Sequence, residues 1–447
     1  MKTLIRSLSM FGAILVLAAC GGGGGGGGAG TPPPPPSAGA LDTTFNTTGK
    51  VTTNILGFYD FASAVAIQPD GKIVVAGDSF SSGVSNFVLV RYNAEGSLDT
   101  SFGASGKVIT DIGSGSDAAN AVAIQLIGLE MKIVAAGYSF NGTGSDFALV
   151  RYNANGTLDT TFDADGKVTT PIGSGNDYAN AVAIQSDGKI VVAGYSSNGT
   201  NEDFALVRYN ADGSLDTSFN SSLICLPIAI CNGKVTTPIG SGNDYAKAVA
   251  IQPDGKIVAV GDAAGGAGIG FALVRYNANG TLDTSFGASG KVFTDIGGGS
   301  NRANAVAIQP DGKIVAAGNA GGDSALVRYN VADGSLDTSF GASGKVFTDI
   351  GGGSNRANAV AIQPDGKIVA AGNAGGDSAL VRYNVADGSL DTSFGASGKV
   401  ITTISGSGGG RNDSAQAVAI QPDGKIVAAG YAYNVDDTDF ALARYLP

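Results

Sequence analysis

The 447-residue sequence has no histidine and no tryptophan, and only three cysteines and three methionines. Without histidine, the commonest general base near neutral pH and the commonest zinc ligand are missing. That excludes the usual Ser-His-Asp and Cys-His constellations and His-containing metal sites. Positive charge is scarce as well: 27 Lys and Arg face 38 Asp and Glu, a net charge of -11. A nucleic-acid partner is thereby disfavoured, because nothing offsets the repulsion from phosphates. No stretch of useful length shows helical periodicity. What is present is 71 glycines in a chain that is 43% hydrophobic and 15% charged. Such a chain can bury a core, and it is neither a charge-rich disordered tail nor a membrane bundle.

Lys2 and Arg6 precede an uncharged apolar stretch from Leu8 to Ala19, the layout of a secretory signal and too short to span a bilayer comfortably. It ends in Leu17-Ala18-Ala19-Cys20, which resembles the lipobox of bacterial lipoproteins. The resemblance implies cleavage after residue 19 and lipid attachment at Cys20, and Gly21 after the Cys implies export to the outer membrane. Gly21 to Gly28 and Pro32 to Pro36 make a flexible and then a stiff tether, residues 20–40. Such a chain of about 20 residues reaches on the order of 25 Å as a coil.

From residue 41 to 447 one unit repeats. Its anchor, Ala-Val-Ala-Ile-Gln, begins at Ala64, Ala121, Ala181, Ala248, Ala305, Ala359 and Ala417, and residues 287–340 recur unchanged as 341–394. Each unit carries four segments of strand length, for example the anchor, Lys72 to Gly77, Phe87 to Tyr92 and Gly106 to Thr110. Their β-branched residues favour strands, and Asp70-Gly71 between apolar runs signals a hairpin. Seven units of four strands predict an all-β fold, a seven-bladed β-propeller of four-stranded blades. The repeat begins with its own end, Leu41 to Phe45 and Gly49 to Val51, and stops after Tyr445, so the N-terminal strand is expected to complete the last blade.

The recurring Gly-Ser-Leu-Asp-Thr-Ser-Phe-Gly and Ile-Gln-Pro-Asp-Gly-Lys-Ile-Val resemble the delta-60 repeat family of bacterial secreted proteins over nearly all of 41–447. That resemblance implies a propeller and carries no established activity. The chain departs from it at Leu126 to Met131, a longer and greasier hairpin, and in the insertion Asn220 to Asn232.

Of the 27 basic residues, 21 occupy three repeated positions, and seven Arg, from Arg91 to Arg444, match seven Asp of Leu-Asp-Thr. A charge-assisted hydrogen bond in each blade is the structural reading, since a functional site is rarely present seven times. Gly-Lys recurs without the upstream glycine of a phosphate loop. Asp163-Ala164-Asp165-Gly166 lacks the remaining acids of a calcium loop and reads as a turn. Cys225 and Cys231 are expected to pair as a disulfide in an oxidising, exported location. No residue is assigned a catalytic, cofactor-binding or metal-binding role.

The loops joining strands two to three and those joining blades are expected on one face, where they vary between units, and variation on a fixed scaffold is where specificity resides. Tyr178, Tyr245, Lys247, Arg302, Arg356 and Arg411, placed in the interblade loops, form the candidate ligand face. The expected function is a membrane-anchored, extracytoplasmic binding or scaffold module of the cell envelope, monomeric, with no cofactor and with a glycan or envelope protein as partner. The alternative is a carboxylate-based hydrolase or lyase acting at the propeller funnel. It is disfavoured because no unrepeated acid pair with a recognisable role occurs and Glu95, Glu130 and Glu202 are the only glutamates.

Overall fold

In each repeat the β-branched segments form four antiparallel strands, paired in sequence order. The first repeat shows the pattern with Tyr59–Ile67, Ile73–Ser81, Val84–Tyr92 and Lys107–Thr110. The computed structural model describes residues 36–447 apart from 57–58, 222–232, 267, 298, 300, 405–411 and 434–436. Cys20, Cys225, Cys231 and Arg411 therefore lie outside the described residues, as do residues 1–19 and most of the tether. The described residues hold strands and turns without helices, and Ser37–Pro447 form one compact unit.

The Asp-Gly hairpin forms, with positive φ at Gly71 and not at Asp70. Gly71 adopts φ 85°, and the Lys72 amide donates to the Asp70 carboxylate at 3.1 Å. In the second repeat the two strands run on to Ile127 and Glu130, which leaves Leu126 and Leu129 in solvent.

Each sheet presents two apolar faces, and adjacent sheets bury them against each other in seven layers. One layer joins the last repeat to the first: Val427, Phe440 and Leu442 pack with Val75, Val90 and Phe45. Here the N-terminal strand Lys50–Thr53 pairs antiparallel with Thr438–Tyr445, so the sheet of the seventh repeat is finished by residues from the opposite end of the chain. A single parallel pair, Tyr59 with Thr438, also links this sheet to the first.

The polar bonds at this junction repeat those of the other six. A buried Tyr ends each third strand and bonds a Thr at the outer edge of the preceding sheet, as in Tyr152 with Thr110 at 2.7 Å, and Tyr92 meets Thr53 at the same distance. Each repeat Asp ion-pairs with an Arg and with a Lys. Arg208 Nε lies 2.7 Å and Lys189 Nζ 2.7 Å from Asp216, while Asp42 receives Arg444 at 2.9 Å and Lys425 at 3.4 Å. In six of the repeats the guanidinium also donates to a carbonyl of the following sheet, as Arg208 does to Ala278 and Arg444 to Ala94. Every one of the seven stands over a Phe ring at 4.2 to 4.7 Å, Arg444 over Phe45 among them. The lysines heading the outer strands donate to carbonyls of the neighbouring repeat, Lys50 to Thr403 at 2.9 Å for one. The expected Arg-Asp hydrogen bond is thus present in six repeats and an Arg444-Asp42 ion pair stands in its place in the seventh, each embedded in a larger contact that ties sheet to sheet.

Candidate functional site

The innermost strand of each repeat carries a β-bulge, at Ala62/Ala64 in the first and at equivalent places in the other six. A glycine in the facing strand makes room for it: at Gly77 a Cβ would collide with the Phe61 carbonyl oxygen, and Gly194 and Gly261 meet the same oxygen of Tyr178 and Tyr245. The bulge turns one residue per repeat toward the centre. Ser63, Asn120, Asn180, Lys247, Asn304, Asn358 and Gln416 surround one central cavity of about 190 Å³, lined beyond them by Ala-Val pairs of all seven repeats. The same seven residues border a wider cavity of about 580 Å³, reached also by Tyr195, Tyr245, Asp262 and Arg302.

The central ring is partly knit together. Asn120, Asn180, Asn304 and Asn358 donate to backbone carbonyls of the next repeat at 2.8 to 2.9 Å. Lys247 breaks the series. Its ammonium sits 2.5 Å from buried Asp262 and 3.4 Å from Asn304 Oδ1, so its charge is committed inside the protein.

Two residues before the bulge stand Phe61, Ala118, Tyr178, Tyr245, Arg302, Arg356 and Ser414, paired with Asp78, Tyr138, Tyr195, Asp262, Asn319, Asn373 and Tyr431 on the second strands. These positions differ between repeats, although the Val-Ala-Ile that follows on the first strand and the Gly that precedes the second are the same in all seven. The variation gives the mouth two different arcs. Tyr138, Tyr178, Tyr195 and Tyr245 form an aromatic series with ring centroids 4.7, 5.2 and 4.8 Å apart. Burial raises the pKa of Tyr138, Tyr195 and Tyr245, with neighbouring phenols or carboxylates adding to it, so these hydroxyls stay neutral hydrogen-bonding groups. The next repeats contribute Arg302 and Arg356, both exposed. Arg356 borders a further cavity of about 470 Å³ with Asn373 and Tyr431, and this cavity shares Asn358 and Gln416 with the central one. On the remaining arc, burial pushes the Asp78 carboxyl up to about 6, against a hydrogen bond from Ser85 and with Asp60 adding to the rise.

Five residues of the expected ligand face thus border or adjoin these cavities, but from a different part of the fold. Tyr178, Tyr245, Lys247, Arg302 and Arg356 belong to the first strands, not to interblade loops. The strands extend further than the apolar runs suggest, because buried Asp177 and Asp244 accept amides of Ile172 and Ile239, each at 2.6 Å, and fasten the incoming chain to the sheet. The loops from Ser79 to Asn86, Ser139 to Asp146 and Ser196 to Asp203 also shrink, since pairing continues to Ser81 with Val84, Phe140 with Ser145 and Ser197 with Glu202. Tyr138, Tyr195, Asp262 and the central asparagines went unassigned in the sequence. Aligning the repeats and picking the columns that vary between constant neighbours would have found them. Among the described residues no cluster of three or more Cys, Asp and Glu side chains is arranged to hold a metal ion.

Seven segments, 68–102, 132–162, 185–219, 252–286, 309–340, 363–394 and 421–447, match the family profile described as "Domain of unknown function (DUF5122) beta-propeller". The chain belongs to the DUF5122 beta-propeller family. The first six DUF5122 segments end on the Phe beneath the Arg, so they contain the Arg-Asp-Phe anchor, while Tyr178, Tyr245, Lys247, Arg302 and Arg356 fall between segments. Similar solved structures include Sqt1 from Chaetomium thermophilum, 14% identical with a TM-score of 0.47, covering 88% of this chain and 97% of that one. Virginiamycin B lyase from Staphylococcus aureus is 9% identical with a TM-score of 0.49, covering 88% and 98%. A protein from Lactobacillus plantarum is 14% identical with a TM-score of 0.48, covering 83% and 99%. No curated protein matches the chain in sequence.

Proposed function

We propose that this chain is a lipid-anchored, extracytoplasmic propeller, its seven sheets closed into a ring, which binds a polar ligand at its funnel and performs no catalysis. The observation that carries this reading is how the repeats vary around the central cavity. In repeats whose structural residues are the same, the side chains two residues before the bulge fall into distinct groups around the cavity, Tyr178 and Tyr245 in one pair of sheets and Arg302 and Arg356 in the next. A scaffold under purely architectural demand has no use for an aromatic arc beside a guanidinium arc; a binding surface does. The lipobox-like Leu17 to Cys20 and the Gly/Pro tether support placement at the cell envelope, anchored in the outer membrane.

Two measurements test the two halves. A Cys20→Ser chain should lose fatty-acid label and leave the membrane fraction; label retained on that variant overturns the anchor. For the funnel, the full chain and a variant with Tyr178, Tyr245, Arg302 and Arg356 all changed to Ala are to be compared on arrays of envelope polysaccharides and proteins. Binding that falls at least tenfold in the variant, with unchanged melting, is expected. Equal binding by both places the site elsewhere.

A further inference from the structure

We propose that the funnel mouth recognises a carboxylate-bearing oligosaccharide, with neutral sugar faces on Tyr195 and Tyr245 and carboxylates on Arg302 and Arg356. This rests on the funnel as the binding site and adds the class of ligand.

The first argument is a census of cations. The 21 repeated Lys and Arg are all engaged inside the fold, to an Asp, a carbonyl or both, as Lys256 and Arg275 are to Asp283 at 2.9 and 2.7 Å and Lys291 is to Pro238 O at 2.6 Å. Lys247 is consumed by Asp262. Among the described residues Arg302 and Arg356 are the two basic side chains that are left, both exposed and without a hydrogen-bond or ion partner. Guanidinium is the side chain whose planar fork matches a carboxylate in two parallel hydrogen bonds. The two occupy the same position in consecutive repeats, opposite Asn319 and Asn373, so the mouth offers one guanidinium per sheet step to a ligand whose acid recurs along its length.

The second argument concerns what lies beside them. Asn358 and Gln416 border both the 580 and the 470 Å³ cavities and Asn304 the larger one, and amides both donate to and accept from hydroxyls. The trough continues to the Tyr195 and Tyr245 rings, which lie edge to face at an interplanar angle of 89°. Flat apolar rings with polar rims suit a sugar, one face of which is C-H and the edge hydroxyl. A single-stranded nucleic acid also stacks on aromatics, but it brings a phosphate per nucleotide to a chain of net charge -11 with two free guanidinium groups among the described residues. The balance of few cations and many amides favours the less charged, hydroxyl-rich polymer.

Calorimetric titration of the full chain with a tetrameric uronate, a neutral tetramer of the same linkage and an oligoribonucleotide tests the proposal. The uronate is expected to bind at least tenfold more tightly than the neutral tetramer. The double variant Arg302→Ala with Arg356→Ala should remove that preference, its uronate affinity falling at least tenfold toward that of the neutral tetramer, and the Arg→Lys pair should restore part of it. Tyr245→Ala should weaken both saccharides. Uronate binding equal in wild type and double variant, or an oligoribonucleotide bound more tightly than either sugar, overturns the proposal. If no saccharide binds but the array still yields a ligand lost in the funnel variant, the acidic-saccharide class falls and the funnel stands; if the array shows no funnel dependence, the site itself falls.

Discussion

A chain shortened to begin after Thr53 is expected to lose its cooperative melting transition or to associate through exchange of its open edge. The truncation strips the outer strand from Thr438–Tyr445, removes Phe45 from the last apolar layer, deprives Arg444 and Lys425 of Asp42, and takes Thr53 away from Tyr92. Loss of a buried Phe alone costs about 3–5 kcal/mol, and a buried guanidinium left without its carboxylate costs a similar amount. Together they approach the roughly 5–15 kcal/mol that holds a typical domain folded. The exposed edge is also a template for pairing with another chain. Thermal melting with size-exclusion chromatography reads both effects, and a peptide of residues 37–56 added in trans should restore the transition. A truncated chain that stays monomeric and melts like the parent removes the case for closure by the N-terminal strand.

Arg208→Ala is the second large effect. A surface ion pair contributes little, but Arg208 is buried, bonds Asp216, Gln185 and the Ala278 carbonyl of the next sheet, and stacks on Phe219. A loss of about 3–5 kcal/mol is expected, because the variant strands Asp216 and opens a void over the ring. Asp216→Asn should cost less, since the amide still accepts, and the double variant should cost less than the sum. Unchanged melting of Arg208→Ala refutes the account. The same contact sets the response to acid. Burial opposes ionisation of Asp216, but hydrogen bonds from Lys189 and from the Ser218 side chain and amide, with the Arg208 charge, outweigh it and hold its pKa below the usual carboxylate range. Asp42, Asp99, Asp159, Asp283, Asp337 and Asp391 shift in the same direction. A carboxylate with a lowered folded pKa contributes stability that is complete above its unfolded value near ~3.9 and fades as pH falls through the folded one. Seven such groups should make unfolding below about pH 4 steep, and Asp216→Asn should flatten it.

The repeats carried most of the architecture in plain view. Seven anchors, seven Asp-Gly or equivalent hairpins and seven matched Arg and Asp define the sheets and their main polar contact before any coordinate is known. The Tyr-Thr bonds were invisible, because Tyr152 and Thr110 are ordinary strand residues and become partners only when repeats are laid side by side. The funnel was misplaced for a different reason. Tyr178 and Asn180 sit around a bulge, which breaks the alternation that marks a strand, and polar Asp177 before them reads as loop. The first-strand side chains Tyr178, Tyr245, Lys247, Arg302 and Arg356 were legible; their second-strand partners and the bulge that aims them were not.

The order of contacts along the N-terminal segment has a mechanical sequel. Tension entering from residues before Ser37 meets Ala38 to Leu41, paired with Gly395, Tyr445 and Leu446, then Asp42, gripped by Arg444, and Phe45, sunk in the last layer, before it arrives at Lys50–Thr53. The ion pair and the aromatic plug act as a cleat, so a pull on the leading end is taken up ahead of the four-residue strand and does not peel it residue by residue.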